Sequence, residues 1–182
     1  MEDFLTLNAE KIFDKYTHDG GWECWLQSEF LDYLRRSPIG VKRHCGREEH
    51  IWNAPKRGDK VDIITFYMKN KENFVEALEL KCASIRQDYD PGDLAARMQK
   101  DIRKLEAGMH YLKKSITADQ KVVYCISMGI TADKKTALAT RAALAAYPGL
   151  NKISRYEVDV EDPENDDRII NIWSSVIYRT LV

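Results

Sequence analysis

Two acidic residues and a lysine lie on consecutive short apolar segments of the chain. Asp62 is the only charged residue between Val61 and Met68, and Glu79 and Lys81 lie within the next apolar run, Phe74 to Cys82. Both runs are rich in β-branched and aromatic residues and are bounded by charged or turn-forming residues, which predicts two β-strands. Because residues two apart in a strand project from the same face, Glu79 and Lys81 are expected to share one face.

The polar segment 69–73 between these runs is expected to close a β-hairpin. The residue numbers of two paired positions then sum to about 142, which brings Asp62 opposite Glu79 and Lys81 or one step diagonal to them. Carboxylates in apolar surroundings need a compensating cation, and Mg²⁺ is usually held by one or two carboxylates together with phosphate oxygens. The residues therefore predict a divalent-cation site at which Lys81 orients or helps to deprotonate a water that attacks phosphorus. A purely structural ion pair between Asp62 and Lys81 is the alternative.

In order and spacing these residues resemble the signature of the PD-(D/E)xK nuclease superfamily, in which an acid on one strand is followed by acid, any residue and lysine on the next. The resemblance implies phosphodiester hydrolysis with Mg²⁺ or Mn²⁺ as the cofactor. It implies Asp62 and Glu79 as metal ligands, the Leu80 carbonyl as a further ligand and Lys81 as the residue that positions the water. DNA is favoured over RNA as the substrate. The resemblance covers residues 22–130.

The predicted elements follow the order of that superfamily's core. Periodicity and end signals predict a helix at 22–36, a weak strand at 47–54, strands at 60–68 and 74–82, a long helix at 91–114 and a strand at 121–129. An extra N-terminal helix, a helix near 132–146 and C-terminal strands near 153–160 and 169–179 surround this α-β-β-β-α-β core. We therefore expect an α/β protein of restriction-endonuclease-like fold, with a central mixed sheet flanked by helices.

A further acid is expected from the first helix of this core, because members of the superfamily often add a glutamate there. Glu29 falls within the apolar stripe of the helix, whereas Glu23 and Asp32 lie outside its densest part and are interpreted as solvated. The stripe is formed by Trp22, Trp25, Leu26 and Tyr33. Glu29 is therefore predicted to be a catalytic residue and metal ligand, and a structural acid bonded to a tryptophan N–H or to nearby arginines is the alternative. Glu48 is a lesser candidate.

A ridge of cations on the long helix is a candidate for contact with a nucleic-acid backbone. Arg97, Lys100 and Lys104 are three or four residues apart, a spacing that lets several side chains reach one phosphate backbone. Asp101 lies at the edge of the buried stripe of the same helix. The alternative interpretation is an ordinary solvated charged face.

A second basic cluster follows the first helix and includes Arg36 and Arg43. It is predicted to lie in a loop that contains Pro38 and Gly40, where it could meet a phosphate backbone or form ordinary surface. The formal net charge is −1 and the sequence pI is about 6.4, which excludes the global basic field typical of avid nonspecific binding. Contact with nucleic acid must therefore be local.

The chain as a whole predicts one domain spanning residues 1–182. Its 182 residues with 44% hydrophobic content suffice for one well-buried α/β domain. No apolar stretch is long enough to predict a membrane span, and the acidic, amphipathic N-terminal segment is not typical of a signal peptide. The four cysteines lack metal-ligand spacing and are interpreted as reduced residues. These features favour a cytoplasmic protein.

Other functional classes remain open at this point. The predicted partners are nucleic acid, a second copy of the chain and an inhibitor protein. The apolar strand at 169–179 is expected to pack either on a core or on a partner. A relative that binds without cutting, such as an immunity or regulatory protein, is an alternative, and so is a toxin effector whose partner blocks the cleft. The binding-only alternative predicts that removal of Lys81 leaves function intact and that no metal binds at Asp62 and Glu79.

Overall fold

The computed structural model describes residues 1–17, 22–36, 41–54, 59–83, 91–145, 153–159 and 169–181. The helices are α1 Glu2–Leu7, α2 Ala9–Tyr16, α3 Trp22–Arg36, α4 Pro91–Gly108, α5 Lys114–Thr117 and α6 Lys134–Ala145. The strands are β1 Val41–Glu49, β2 Val61–Lys69, β3 Glu72–Cys82, β4 Val122–Thr131, β5 Ile153–Asp159 and β6 Ile169–Thr180. The predicted α-β-β-β-α-β order is present as α3-β1-β2-β3-α4-β4, with a 3₁₀ helix and α5 inserted before β4.

The strands form a mixed sheet in the order β1-β2-β3-β4-β6-β5. β1 and β2, β2 and β3, and β5 and β6 pair antiparallel. The Lys121 N–H donates to the Asn73 carbonyl and the Ala83 N–H to the Ile130 carbonyl, so β3 and β4 run in the same direction. The predicted α/β class, with a mixed sheet flanked by helices, is confirmed.

A two-residue turn, Asn70-Lys71, closes the hairpin of β2 and β3. Both residues have positive φ, 53° and 66°, which is the conformation of a type I′ turn and matches the right-handed twist of the strands. Ile63 pairs with Leu78, so the residue numbers of paired positions sum to 141, one less than expected. Asp62 and Glu79 lie one residue beyond this last pair, and continuation of the same register would place them opposite one another.

The first strand lies earlier in the chain than predicted. Val41–Glu49 pairs with β2, whereas residues 50–54 leave the sheet and Trp52 forms only an isolated bridge with Leu112. β1 lies at the edge of the sheet, where one side of a strand tolerates charged residues. The prediction of a basic loop is therefore wrong for residues 41–47, and Pro38 and Gly40 lie outside the described residues.

Two helices also differ from the prediction. The long helix ends at Gly108 instead of residue 114 and continues as the 3₁₀ helix Met109–Tyr111. Glycine is a poor helix former, and Gly108 lies against the Trp52 ring so closely that a Cβ atom there would be 2.9 Å from it. The predicted N-terminal helix is two short helices that meet at Asn8. The remaining elements agree with their predicted bounds to within a few residues.

The chain divides into two compact units. Unit 1 comprises Met1–Leu26, Leu80–Lys100 and Met128–Ser175, and unit 2 comprises Gln27–Glu79, Asp101–Ser127 and Val176–Val182. The core of unit 2 packs residues of β2, β3 and β4 against α4 and the segment around Trp52; it contains Ile51, Trp52, Val61, Ile64, Val75, Ala77, Leu105, Met109, Val123 and Cys125. Buried residues of unit 1 include Phe4, Leu5, Ile12, Trp22, Leu26, Leu80, Leu94, Met98, Ile130 and Ile172. The single domain stays a prediction.

The part of the chain that the structure describes contains no helix long and apolar enough to cross a membrane.

Candidate active site

Asp62 and Glu79 belong to unit 2 and lie one residue beyond the Ile63–Leu78 pair on β2 and β3, close enough for the charge of Asp62 to act on Glu79. The register that pairs Ile63 with Leu78 carries them to the same face of the hairpin. The Glu79 side chain is only 2% exposed, and Asp62 is half-buried. Burial, together with the negative charge of Asp62, raises the pKa of Glu79 to about 7. One carboxylate of this pair therefore resists ionisation at neutral pH.

Helix α4 contributes one cation and one further acid to this pair. The Lys104 Nζ atom lies 2.5 Å from Glu79 Oε1, and this ion pair opposes the rise in the pKa of Glu79. Asp101, three residues earlier on the same helix face, is 6% exposed and adds to the negative potential at Glu79. Lys104 thus supplies a compensating ammonium group for Glu79.

The Asp62 and Glu79 pair suits a hard divalent cation by its donor chemistry. Among the described residues, no group of three or more His, Cys, Asp or Glu side chains is arranged to hold a metal ion, so this pair is the donor set to consider. Mg²⁺ is commonly bound by one or two carboxylates with water filling the other positions. A nearby cation would favour the ionised form of Glu79 and remove the repulsion between the two carboxylates.

Lys81 belongs to unit 1, where Glu23 holds its ammonium group. Lys81 Nζ lies 3.4 Å from Glu23 Oε1 and donates a hydrogen bond of 2.9 Å to the Leu80 carbonyl. Glu23 Oε2 accepts hydrogen bonds from the Arg97 guanidinium at 2.7 Å and from the Cys82 N–H at 3.1 Å. Glu23 is therefore a half-buried partner of two cations, and the interpretation of it as a solvated residue is wrong.

The first turn of α3 places Glu23 beside β3. The Trp22 indole N–H donates a hydrogen bond of 2.6 Å to the Ala83 carbonyl, which fixes the start of α3 to the end of β3. Tyr16 packs edge-on against Trp22, with ring centroids 6.1 Å apart. On α4 the buried residues Leu94 and Met98 face the core. These contacts leave the Glu23 carboxylate within reach of β3 and α4.

The other predicted acids have different surroundings. Glu29 is half-buried on α3 and makes no ion pair among the described residues; its roles as a catalytic residue and metal ligand stay predictions. The Trp22 N–H is bonded to a backbone carbonyl, so it is not the partner proposed for Glu29 in the structural alternative. Glu48 is exposed and pairs with Lys60 at 3.8 Å. Asp32 is exposed, as predicted.

The predicted nucleic-acid contacts fall into distinct environments. Arg97 and Lys104 are only 27% and 26% exposed and are paired with Glu23 and Glu79, whereas Lys100 is exposed. The alternative interpretation of this ridge, an ordinary solvated charged face, is therefore wrong for Arg97 and Lys104. Arg36 is exposed and lies 3.6 Å from Asp32. The Arg43 side chain lies outside the described residues, and the contact of all five cations with nucleic acid stays a prediction.

Sequence reasoning missed Glu23 because a helical wheel ranks the residues of one helix by that helix's own periodicity. The partners of Glu23 lie 58 and 74 residues away in the chain, so nothing within 22–36 identifies them. The signal that was present is an acid in the first turn next to a buried tryptophan.

Comparisons of the chain with protein-family models, with curated proteins and with solved structures found no match.

Proposed function

We propose that the protein is a metal-dependent nuclease of restriction-endonuclease-like fold that hydrolyses phosphodiester bonds, with DNA favoured over RNA. The observation that carries the proposal is the cross-strand pair of Asp62 and Glu79, in which Glu79 is buried and has a pKa raised to about 7. Two desolvated carboxylates are costly unless a cation compensates them. The α-β-β-β-α-β order of elements and the mixed sheet also support the proposal.

In this proposal Asp62 and Glu79 hold Mg²⁺ or Mn²⁺, with the Leu80 carbonyl as a further ligand and Glu29 assisting. The bound cation supplies Lewis-acid stabilisation of the phosphate and lowers the pKa of a water molecule. Lys81 is the second residue after Glu79 on β3, so both side chains leave the strand on the same face. Its ammonium group orients the attacking water and offsets negative charge that develops on the phosphate.

A second candidate function is supported by the ion pairs themselves. Lys104 lies 2.5 Å from Glu79, and Lys81 lies 3.4 Å from Glu23, so two of the predicted catalytic residues, Glu79 and Lys81, already have partners of opposite charge. Such pairs can hold a fold together without a metal. The second candidate is therefore a nuclease-fold protein that binds a partner without cutting nucleic acid, such as an immunity or regulatory protein or an effector restrained by its inhibitor.

A cleavage assay with matched variants separates the two candidates. The protein is incubated with plasmid, linear duplex, single-stranded DNA and RNA in Mg²⁺ or Mn²⁺, beside Lys81→Ala and an EDTA control. Lys121→Ala is the matched variant, because Lys121 is an exposed lysine paired with Glu72 before β4. We expect cleavage that disappears in EDTA and in Lys81→Ala and persists in Lys121→Ala.

The opposite result points to the binding protein. If no substrate is cut, and calorimetry detects no Mg²⁺ or Mn²⁺ binding that Asp62→Ala removes, the nuclease proposal is wrong. Glu72→Gln is the control for this measurement, because it removes one charge from the start of the same hairpin strand that carries Glu79. Thermal unfolding of each variant establishes beforehand that it is folded.

A further inference from the structure

Three donors in unit 1 converge on a single carboxylate. The Arg97 guanidinium and the Cys82 N–H lie 2.7 and 3.1 Å from Glu23 Oε2, and Lys81 Nζ lies 3.4 Å from Oε1. A guanidinium, an ammonium and a backbone N–H are the groups with which proteins bind the oxygens of phosphate. Glu23 therefore occupies a position whose surroundings suit an oxyanion in general.

We propose that Arg97, Lys81 and the Cys82 N–H form a phosphate cradle, and that Glu23 occupies it as an internal substitute for a phosphate of the nucleic-acid backbone. The identity of the ligand rests on the proposed nuclease function, whereas the cradle itself rests on the donors alone. A phosphodiester carries one negative charge on two free oxygens, as a carboxylate does. It can therefore take the place of the Glu23 carboxylate without a change in the charge within the cradle.

Contacts other than those with Glu23 keep the donors in place. Lys81 Nζ donates to the Leu80 carbonyl at 2.9 Å, and Arg97 also donates to the Cys82 carbonyl at 3.4 Å. Both donors thus have backbone acceptors on β3 that remain when the Glu23 carboxylate rotates away. Preorganised donors of this kind bind a ligand without an additional ordering cost.

The cradle is also accessible from solvent. The side chains of Glu23, Lys81 and Arg97 are 22%, 16% and 27% exposed. Glu23 lies in the first turn of α3, and the backbone there is fixed by the hydrogen bond from Trp22 to Ala83. Rotation of the Glu23 side chain alone can therefore open the cradle while the helix remains in position.

A purely structural ion pair predicts a different outcome for the loss of Glu23. If the carboxylate only joins α3 to β3 and α4, its removal lowers stability and raises the affinity for anions no more than the removal of another acid that is paired with arginines, such as Asp32. If it occupies a phosphate cradle, its removal ends an intramolecular competition, and the affinity for phosphate rises.

The experiment measures inorganic phosphate binding in EDTA by calorimetry and by the shift in thermal unfolding. We expect Glu23→Ala to bind phosphate at least about tenfold more tightly than the parent protein. This gain corresponds to a parent protein in which the cradle is open about a tenth of the time or less. The double variant Glu23→Ala/Arg97→Ala should lose this gain. Asp32→Ala is the matched control, because it removes an exposed acid that is paired with arginines on the same helix; its phosphate affinity should equal that of the parent.

Equal phosphate affinity in the parent, Asp32→Ala and a folded Glu23→Ala would overturn the cradle. If Glu23→Ala does not fold, Glu23→Gln replaces it, since glutamine keeps the volume and removes the charge. We expect Glu23→Gln to gain phosphate affinity as well, by a smaller factor. A folded Glu23→Gln with no gain would also overturn the cradle. Binding of a labelled single-stranded oligonucleotide in EDTA, followed by fluorescence anisotropy, should improve in the same variants. A gain for inorganic phosphate but none for the oligonucleotide would overturn the assignment to the nucleic-acid backbone.

These outcomes are separate from the test of nuclease activity. A gain in phosphate affinity in a protein that cuts no substrate supports the cradle and contradicts the nuclease. Metal-dependent cleavage without any gain in Glu23→Ala supports the nuclease and contradicts the cradle.

Discussion

Glu79 is the most buried of the ionisable candidate site residues whose side chains the structure describes. Its side chain is 2% exposed, and burial and the charge of Asp62 raise its pKa to about 7, while Lys104 opposes that rise. A carboxyl group in this range exchanges its proton under conditions in which an ordinary glutamate is fully ionised. Its protonation therefore affects both the stability of the fold and the capacity of the pair to hold a cation.

Substitution of Glu79 by glutamine should change the pH dependence of stability. The unfolded chain releases this proton near pH 4.5 and the folded chain near pH 7. Between these values the folded state binds more protons, so a rise in pH destabilises it. Relative to Glu79→Gln, which does not titrate, the parent protein should lose about 3 kcal/mol of unfolding free energy over this interval and little above it.

Urea unfolding at a series of pH values, in EDTA, measures this difference. The comparison with Glu79→Gln cancels the other groups that titrate in the same interval, and Glu72→Gln, an acid about 42% exposed on the same strand, serves as the control. A difference between the parent and Glu79→Gln that stays constant from pH 4.5 to 7 would contradict the raised pKa of Glu79.

At the scale of elements, the turn and the aromatic pairs together set the β2–β3 register. The Tyr67 and Phe74 rings stack at 5.3 Å across the hairpin, and the Asn70-Lys71 turn has two positive φ angles. Cross-strand aromatic pairs and type I′ turns both favour one register over its neighbours. The position of Asp62 opposite Glu79 depends on that register, because a slip of one residue would turn a side chain to the other face.

Replacement of Lys71 by glycine should stabilise the hairpin. Lys71 has a φ of 66°, a left-handed conformation that costs a residue with a Cβ atom about 1 kcal/mol and costs glycine little. We expect Lys71→Gly to raise the free energy of unfolding by up to about 1 kcal/mol. Lys69→Gly, at the end of β2, should lower it, since glycine weakens a strand. Urea unfolding measures both, and a stability loss in Lys71→Gly would contradict the turn assignment.

Replacement of Gly108 by alanine should destabilise the protein despite the better helix propensity of alanine. Gly108 has helical angles, φ −67° and ψ −30°, so its backbone conformation suits alanine. The added Cβ atom would, however, lie 2.9 Å from the fully buried Trp52 ring. Overpacking of this kind typically costs about 1–3 kcal/mol.

Thermal or urea unfolding measures this cost, and Gly46→Ala is the matched control. The nearest atom to a Cβ at Gly46 is Glu49 Oε1, at 2.8 Å; it belongs to an exposed, flexible side chain that can move away. Gly46→Ala should therefore cost less than Gly108→Ala. A larger loss of stability in Gly46→Ala than in Gly108→Ala would show that the contact of Gly108 with the Trp52 ring does not determine where α4 ends.

At the scale of the whole molecule, the sequence predicted what depends on local pattern. The hairpin that pairs Asp62 with Glu79, the α/β class and most element bounds depend on periodicity and turn residues within short segments. The partners of Glu23 and the ion pair of Lys104 with Glu79 depend on contacts between distant segments, which one sequence does not specify. β1 lies earlier than the sequence predicts, because its charged residues are typical of a loop but are tolerated in an edge strand.

The boundaries between the two units lead to a prediction about unfolding. The chain passes between the units inside α3, β3, α4, β4 and β6, after residues 26, 79, 100, 127 and 175. Since no boundary falls in a linker, opening one unit must disrupt elements that continue into the other. We therefore expect the two units to unfold in one cooperative transition.

Two buried cysteines allow this prediction to be measured by thiol labelling. Cys82 in unit 1 and Cys125 in unit 2 are 4% and 0% exposed, and burial raises the pKa of Cys125 to about 12, so labelling requires opening. Two variants each retain one of these cysteines. In each variant, the opening free energy measured by labelling should equal the free energy of unfolding that urea gives for the whole protein. Exposed Cys24, retained alone, is the control and should label without opening. If Cys82 labels faster than global unfolding permits, unit 1 opens separately. The phosphate-binding measurements on the Glu23 variants would then need to be made at temperatures below that local transition.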